Sequence, residues 1–147
     1  MIDELEQLDL IRTARFRPRY ELRGSSGAAI GSLAWTGAPG RAEARVGERS
    51  WTLRPATGRS RLEAWRDEQD LELHLDDGEI VLAERPAAPM AWRRGGSAPG
   101  AGSISAARLH ASLRPHRRTA PGFAVTLAGD LPERELVLLT AAFELLR

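Results

Sequence analysis

Arginines cluster at three places in this chain, and arginine is well suited to holding phosphate. Its planar guanidinium donates paired hydrogen bonds that match two phosphate oxygens. The clusters are Arg12, Arg15, Arg17 and Arg19, then Arg93 and Arg94, then Arg114, Arg117 and Arg118. If the fold brings the last two together, Arg93, Arg94, Arg114, Arg117 and Arg118 predict a binding site for lipid headgroup phosphates or another phosphorylated ligand. The alternative is that these arginines are ordinary solvated loop residues.

Residues that could carry catalysis are few and poorly placed. His74 stands on the polar side of an alternating segment, close to Asp76 and Asp77, which are adjacent in a turn rather than opposed across a cleft. The sequence has no Gly-x-Ser-x-Gly elbow, no phosphate loop and no dinucleotide fingerprint. It has no cysteine, which removes thiolate nucleophiles and thiolate metal ligands. We therefore expect a protein that is not an enzyme and that has no metal and no cofactor.

The overall charge argues against a nucleic-acid-binding protein. The chain has 147 residues, and 21 basic against 20 acidic residues leave a formal net charge of +1. Its aromatic residues are also too sparse for a base-stacking platform. Lysine is absent, and the abundance of Ala, Gly, Pro and Arg indicates a GC-rich bacterial coding bias. At this length we expect one domain, spanning residues 1–147.

The C-terminal segment, residues 131–147, predicts a helix that is apolar on nearly every side. At 100° per residue its apolar side chains cover roughly 260° of the circumference, whereas a surface helix needs an apolar stripe of about 100°. Thr140, Glu144 and Arg147 form the narrow polar stripe that is left. Such a helix must be surrounded by other elements. Its uninterrupted apolar core is too short to cross a bilayer, which takes about 20 apolar residues.

The two ends of this helix carry their own signals. Asp130 is expected to cap its N-terminus, with Pro132 in the first turn and Glu133 completing an Asp-x-x-Glu box. Near its C-terminus, Glu144 is expected either to face a gap in the wall that admits water or to pair with Arg147. Both arrangements put Glu144 close to solvent and Leu145 away from it.

Upstream of the helix, short segments with period-two alternation indicate strands separated by turns. Alternation is clear in Leu71–Leu73–Leu75 and in Phe123–Val125–Leu127, and Asp77–Gly78 is a hairpin signal. The predicted strands are residues 11–17, 20–23, 29–35, 41–46, 49–54, 61–66, 71–75, 79–84, 89–93, 108–114 and 123–127, with a short one around Ile104. Residues 1–10 predict either a short helix or an edge strand.

Strands with one apolar face and a helix that must be enclosed are both satisfied by one architecture. We predict a mainly β fold: a closed antiparallel β-barrel of about twelve short strands around one hydrophobic C-terminal helix. The closed barrel removes the exposed edges that an open sheet would leave.

The order of these features resembles the tubby C-terminal-like superfamily, which includes phospholipid scramblases and LURP-one-related proteins. The matching elements are GSLAW at residues 31–35, the strand at 42–46, WTL at 51–53, the series of hairpins and the apolar helix after Leu131 and Pro132. The resemblance covers residues 20–147 and implies a twelve-stranded barrel threaded by a hydrophobic C-terminal helix. It also implies binding of phosphoinositides through basic residues, or action on phospholipids.

The sequence therefore predicts a small binding module for anionic lipid or another phosphorylated ligand. The alternative is a protein-interaction or structural domain, including a homodimer, without a small-molecule ligand. The expected partners are accordingly an anionic membrane surface or a protein. The start, MIDELEQLDL, is acidic and does not resemble a signal peptide, so we expect a cytoplasmic protein, peripheral to the membrane where it binds lipid.

Overall fold

A computed structural model describes residues 5–14, 16–37, 40–56, 61–76, 78–95, 99–116 and 122–147. The described chain forms twelve strands followed by one helix. They are β1 (Glu6–Ala14), β2 (Arg19–Arg23), β3 (Ala29–Trp35), β4 (Ala42–Val46), β5 (Arg49–Pro55), β6 (Leu62–Arg66), β7 (Asp70–Asp76), β8 (Glu79–Leu82), β9 (Met90–Arg94), β10 (Gly102–Ala106), β11 (Leu109–Pro115), β12 (Gly122–Ala128) and α1 (Arg134–Leu146).

The strands close into a barrel. Each strand pairs antiparallel with the next one along the chain, and β1 pairs antiparallel with both β2 and β12. This closure satisfies the backbone hydrogen-bonding groups that an open sheet would expose at its two edges. The predicted closed antiparallel barrel is confirmed.

The helix lies inside this barrel, as its apolar circumference predicts. Residues 136–143 are all buried, and Leu139 at their centre has no exposed surface. The wall comes close to the helix where Gly31 faces it, because a Cβ built on Gly31 would lie 3.3 Å from Leu139 Cδ1. Glycine in β3 therefore makes room for a leucine of α1.

Alternation along the strands supplies the rest of the core. Phe123, Val125 and Leu127 of β12 are buried, as predicted, and Leu73 and Leu75 of β7 are buried as well. Leu71 is only half-buried, because the register between β6 and β7 shifts there at an irregularity. A register shift changes which side chains face the core.

The N-terminal segment differs from both structures predicted for residues 1–10. Strand β1 begins at Glu6 and is paired on both sides, so the described part is neither a helix nor an edge strand. Leu8 and Leu10 point into the core from this strand. The strand predicted over residues 11–17 is therefore the second half of β1, and it ends at Ala14.

The predicted cap of the helix is wrong. The helix begins at Arg134, its N-cap is Glu133 in a left-handed conformation (φ 49°), and no side chain caps it. The Glu133 carboxylate instead pairs with Arg49 of β5, 3.2 Å away. Asp130 is exposed and lies in the link between β12 and α1, too far before Arg134 to cap the helix.

The barrel has two distinct ends. We call the end where α1 finishes the upper end and the end where α1 begins the lower end. The first, third, fifth, seventh, ninth and eleventh strands each lead into a connection at the upper end, and the other strands lead into connections at the lower end. In the part of the chain that the structure describes, no helix has the length and apolar character needed to span a bilayer.

Candidate functional site

Charge is distributed unequally between the two ends. The described residues of the upper connections include Arg17, Arg41, Arg61 and His116 and contain no acidic residue. The lower connections, in their described parts, contain mostly acidic residues, namely Glu48, Asp67, Glu68, Glu84, Asp130 and Glu133, with Arg85 and Arg108 as the basic ones. Among the described connections, the charges therefore favour anions at the upper end over the lower end.

The upper connection between β1 and β2 carries a fully exposed aromatic ring. Phe16, in the turn between β1 and β2, has an exposed fraction of 101%, and Arg17 and Arg19 beside it are exposed. At the β2 end of this turn, the Trp35 N–H donates a hydrogen bond to the Pro18 carbonyl at 2.9 Å. Phe16 therefore projects into solvent beside two exposed arginines.

Sequence reasoning missed this feature, because the strand predicted over residues 11–17 ran through Phe16. The signal was Pro18, which lacks an N–H for the ladder and favours a turn at this point. Phe16 between Arg15 and Arg17 continues the period-two alternation of a strand, which explains why the pattern extended the predicted strand through it.

Two of the predicted phosphate-binding residues lie on the outer wall near the upper end. Arg93 of β9 and Arg114 of β11 are exposed and point outward, because their neighbours Trp92 and Leu113 point into the core. Ser103 of β10 lies between them, opposite Arg93. Strand spacing and rise place their Cα atoms about 12 Å apart. Neither guanidinium pairs with an acidic side chain among the described residues.

Arg94 has a different environment from Arg93. It follows Met90 and Trp92 on the inward side of β9, so it reaches the mouth of the barrel. There its Nη1 lies 3.5 Å from Glu144 Oε1 of α1. This partner makes Arg94 a less available phosphate ligand than Arg93 and Arg114.

The predicted pairing of Glu144 with Arg147 is confirmed, with 2.8 Å between Glu144 Oε2 and Arg147 Nε. The expected exposure around it is wrong. Glu144 is buried, whereas Leu145 is half-buried. The cause is the second partner, because Arg94 and Arg147 together cover the carboxylate from the wall and from the helix end.

The remaining predicted site residues, Arg117 and Arg118, lie outside the described residues, as does Arg15 of the N-terminal cluster. The structure places Arg93 and Arg114 on one wall and Arg94 in the neighbouring mouth. The five-arginine phosphate site thus stays a prediction.

Tyr20 of β2 lies beneath the Phe16 turn and faces the core. Burial raises the pKa of its hydroxyl, and the nearby Arg12 guanidinium opposes this increase by favouring the tyrosinate. Its ring packs against Trp35 with 5.6 Å between centroids, and Trp35 in turn packs against Phe143 of α1 at 5.1 Å. This aromatic series connects the turn that carries Phe16 to the enclosed helix.

Two of the three histidines, His74 and His116, each lie beside a single aspartate. His74 Nδ1 lies 3.4 Å from Asp76 Oδ2, and His116 Nε2 lies 3.3 Å from Asp9 Oδ1. Over the ranges that the structure describes, no group of three or more His, Asp or Glu side chains is arranged to hold a metal ion. The chemistry that these surfaces offer is anion binding by arginine.

Comparisons of the chain with protein-family models, with curated proteins and with solved structures find no match. The resemblance to the tubby C-terminal-like superfamily thus remains a prediction.

Proposed function

We propose that this protein is a peripheral binding module for anionic lipid surfaces, which it contacts with its upper end. The observation that carries the proposal is the fully exposed Phe16, which lies beside the exposed Arg17 and Arg19. An apolar ring among cationic side chains suits the boundary between lipid headgroups and acyl chains. The arginines would contact headgroup phosphates while the ring enters the layer beneath them.

The charge polarity of the barrel supports the same orientation. Each basic residue held near an anionic membrane surface contributes about 1 kcal/mol of binding free energy. Arg93 and Arg114 have no acidic partner among the described residues, so a phosphate oxygen meets no internal competitor there. The acidic lower connections are repelled by the same surface, which orients the barrel with its upper end towards the lipid.

Within this proposal the predicted arginines take different roles. Arg93 and Arg114 contact headgroup phosphates from the outer wall, together with Arg117 and Arg118. Arg94 remains with Glu144 and strengthens the local positive charge without a direct phosphate contact.

Co-sedimentation with vesicles tests the proposal. The wild-type protein should pellet with phosphatidylcholine vesicles that contain phosphatidylglycerol, should stay in solution with pure phosphatidylcholine, and should be released as salt rises because exposed charges are screened. Changing Arg17 and Arg19 to Gln should weaken binding about 30-fold, the equivalent of about 1 kcal/mol per charge. Phe16→Ser should weaken it independently of salt.

A matched control removes two arginines from the lower half, with Arg45→Gln and Arg66→Gln. Both residues are exposed, and each pairs with a neighbouring glutamate, so the net charge changes by the same amount as in the upper variant. Binding of this control should resemble that of the wild type. If the wild-type protein ignores anionic vesicles at low salt, the lipid proposal fails, and the protein-interaction alternative is then examined through the mass of the protein in solution.

A further inference from the structure

A cavity of about 490 Å³ lies at the lower end, opposite the surface proposed to meet lipid. It is lined by the β8–β9 connection, the turn between β10 and β11, and the link from β12 to α1. Met90 and Leu109 supply apolar surface, and Arg85, Arg108 and Asp130 bring charge to it. This volume and this mixture of apolar and a few polar groups are typical of small-molecule sites.

The cavity contains two arginines although the described connections at this end are mostly acidic. Arg85 and Arg108 are the basic residues in the described parts of the lower connections, and both line the cavity. Neither side chain forms an ion pair or a hydrogen bond with another described residue, and Asp130 is not paired with either. Two unpaired guanidinium groups against one carboxylate leave the cavity with a net positive charge.

The backbone at Arg108 gives a second, independent observation. Arg108 has φ 151°, a conformation that favours glycine, and its N–H donates to the Ala106 carbonyl at 3.0 Å in a tight turn. Gly129 packs against this turn so closely that a Cβ there would overlap the Arg108 carbonyl oxygen. Glycine at position 108 would adopt this backbone without strain, so stability of the turn does not account for an arginine there.

We infer that this cavity binds a small organic anion with an apolar body. The carboxylate or sulfonate group of the ligand lies between the guanidinium groups of Arg85 and Arg108, and the apolar part lies on Met90 and Leu109. The Asp130 carboxylate limits the negative charge that the site accepts, so it favours a monoanion over a dianionic phosphate. The inference is independent of lipid binding, because it concerns the opposite end of the barrel.

Anilinonaphthalene sulfonate, an apolar monoanion whose fluorescence rises in apolar surroundings, is the direct probe. It should bind the folded wild-type protein with one site per chain, and octanoate should displace it, whereas octanol and inorganic phosphate should not. Absence of binding, or displacement by octanol equal to that by octanoate, would overturn the inference.

Variants separate a ligand-binding arginine from a structural one. Arg108→Gly should raise the melting temperature, because it relieves the backbone, and should weaken probe binding at least tenfold. Arg85→Gln, which leaves the turn unchanged, should weaken binding to a similar extent. The control Arg66→Gln, at the same end but outside the cavity, should bind as the wild type does. Undiminished binding by both cavity variants would contradict the assignment, and so would a lower melting temperature of Arg108→Gly.

Discussion

Glu144 of the enclosed helix and Arg94 of the barrel wall form an ion pair, with 3.5 Å between Oε1 and Nη1. The same carboxylate lies 2.8 Å from Arg147 Nε at the end of the helix. Only 9% of the Glu144 side chain is exposed, against 57% for Arg94 and 26% for Arg147. The upper end of the helix is therefore fastened to the wall by a carboxylate that two arginines cover.

The two contacts of Glu144 should differ in strength. Because the contact with Arg147 is shorter and less exposed, a double-mutant cycle for Glu144→Gln and Arg147→Gln should give a coupling energy of about 1 kcal/mol. The corresponding cycle with Arg94→Gln should give about 0.5 kcal/mol, since solvent screens that pair more. Urea unfolding of the single and double variants measures both values. A larger coupling energy for Arg94 than for Arg147 would contradict this view of the upper mouth.

Leu139 lies at the centre of the enclosed helix and has no exposed surface. Leu139→Asp would bury a carboxylate without a partner, at a cost of several kcal/mol. A domain stability of about 5–15 kcal/mol leaves little to offset that cost, so we expect insoluble or unfolded protein. Leu139→Met, which conserves volume, should cost less than about 1.5 kcal/mol and serves as the control. A Leu139→Asp variant with native circular dichroism would mean that the helix is not enclosed.

The raised pKa of Tyr20 predicts that the folded protein loses stability in alkaline solution. Its raised pKa in the folded state means that the unfolded chain loses the phenolic proton first. The contribution of Tyr20 to the unfolding free energy is therefore fully present below the ordinary tyrosine pKa of about 10 and falls as pH rises through the pKa of the folded state. Tyr20 is the single tyrosine of the chain, so ultraviolet absorbance of tyrosinate follows this group alone.

The Tyr20→Phe variant gives the corresponding stability measurement. As pH rises above about 10, the unfolding free energy of this variant should fall less than that of the wild type, because the variant has no phenolic proton to lose. An absorbance titration of folded protein that coincides with that of unfolded protein would contradict the assigned burial effect.

The architecture was predictable because its main signals are local. An apolar circumference such as that of residues 136–143 requires enclosure, and alternation such as Phe123–Val125–Leu127 gives each strand one buried side. The sequence-based prediction was wrong where contacts between residues distant in sequence accompany the local structure, as at the start of α1. Asp130 is a good capping residue by type, but the pairing of Glu133 with Arg49, distant in sequence, accompanies a later helix start.

The candidate surfaces were predictable only in part. Composition and spacing identified Arg93, Arg94 and Arg114, but only the alternation of β9 in the folded barrel separates outward Arg93 from inward Arg94. Sequence assigned Arg108 to a strand, whereas its place in a strained turn beside a cavity depends on the contact with Gly129. Contacts between residues that are distant in sequence produce no periodic pattern in the sequence from which they could be predicted.

The orientation of the barrel on lipid tests the central claim most directly. Because the chain has no cysteine, a single cysteine at Thr36, an exposed residue of an upper connection, or at Ser26, an exposed lower-end residue, can carry an environment-sensitive fluorophore and leave Phe16 in place. With vesicles containing phosphatidylglycerol, the emission of the label at position 36 should shift to shorter wavelength and become protected from an aqueous quencher, while the label at position 26 should not change. A shift at position 26, or none at position 36, would contradict upper-end binding to an anionic lipid surface.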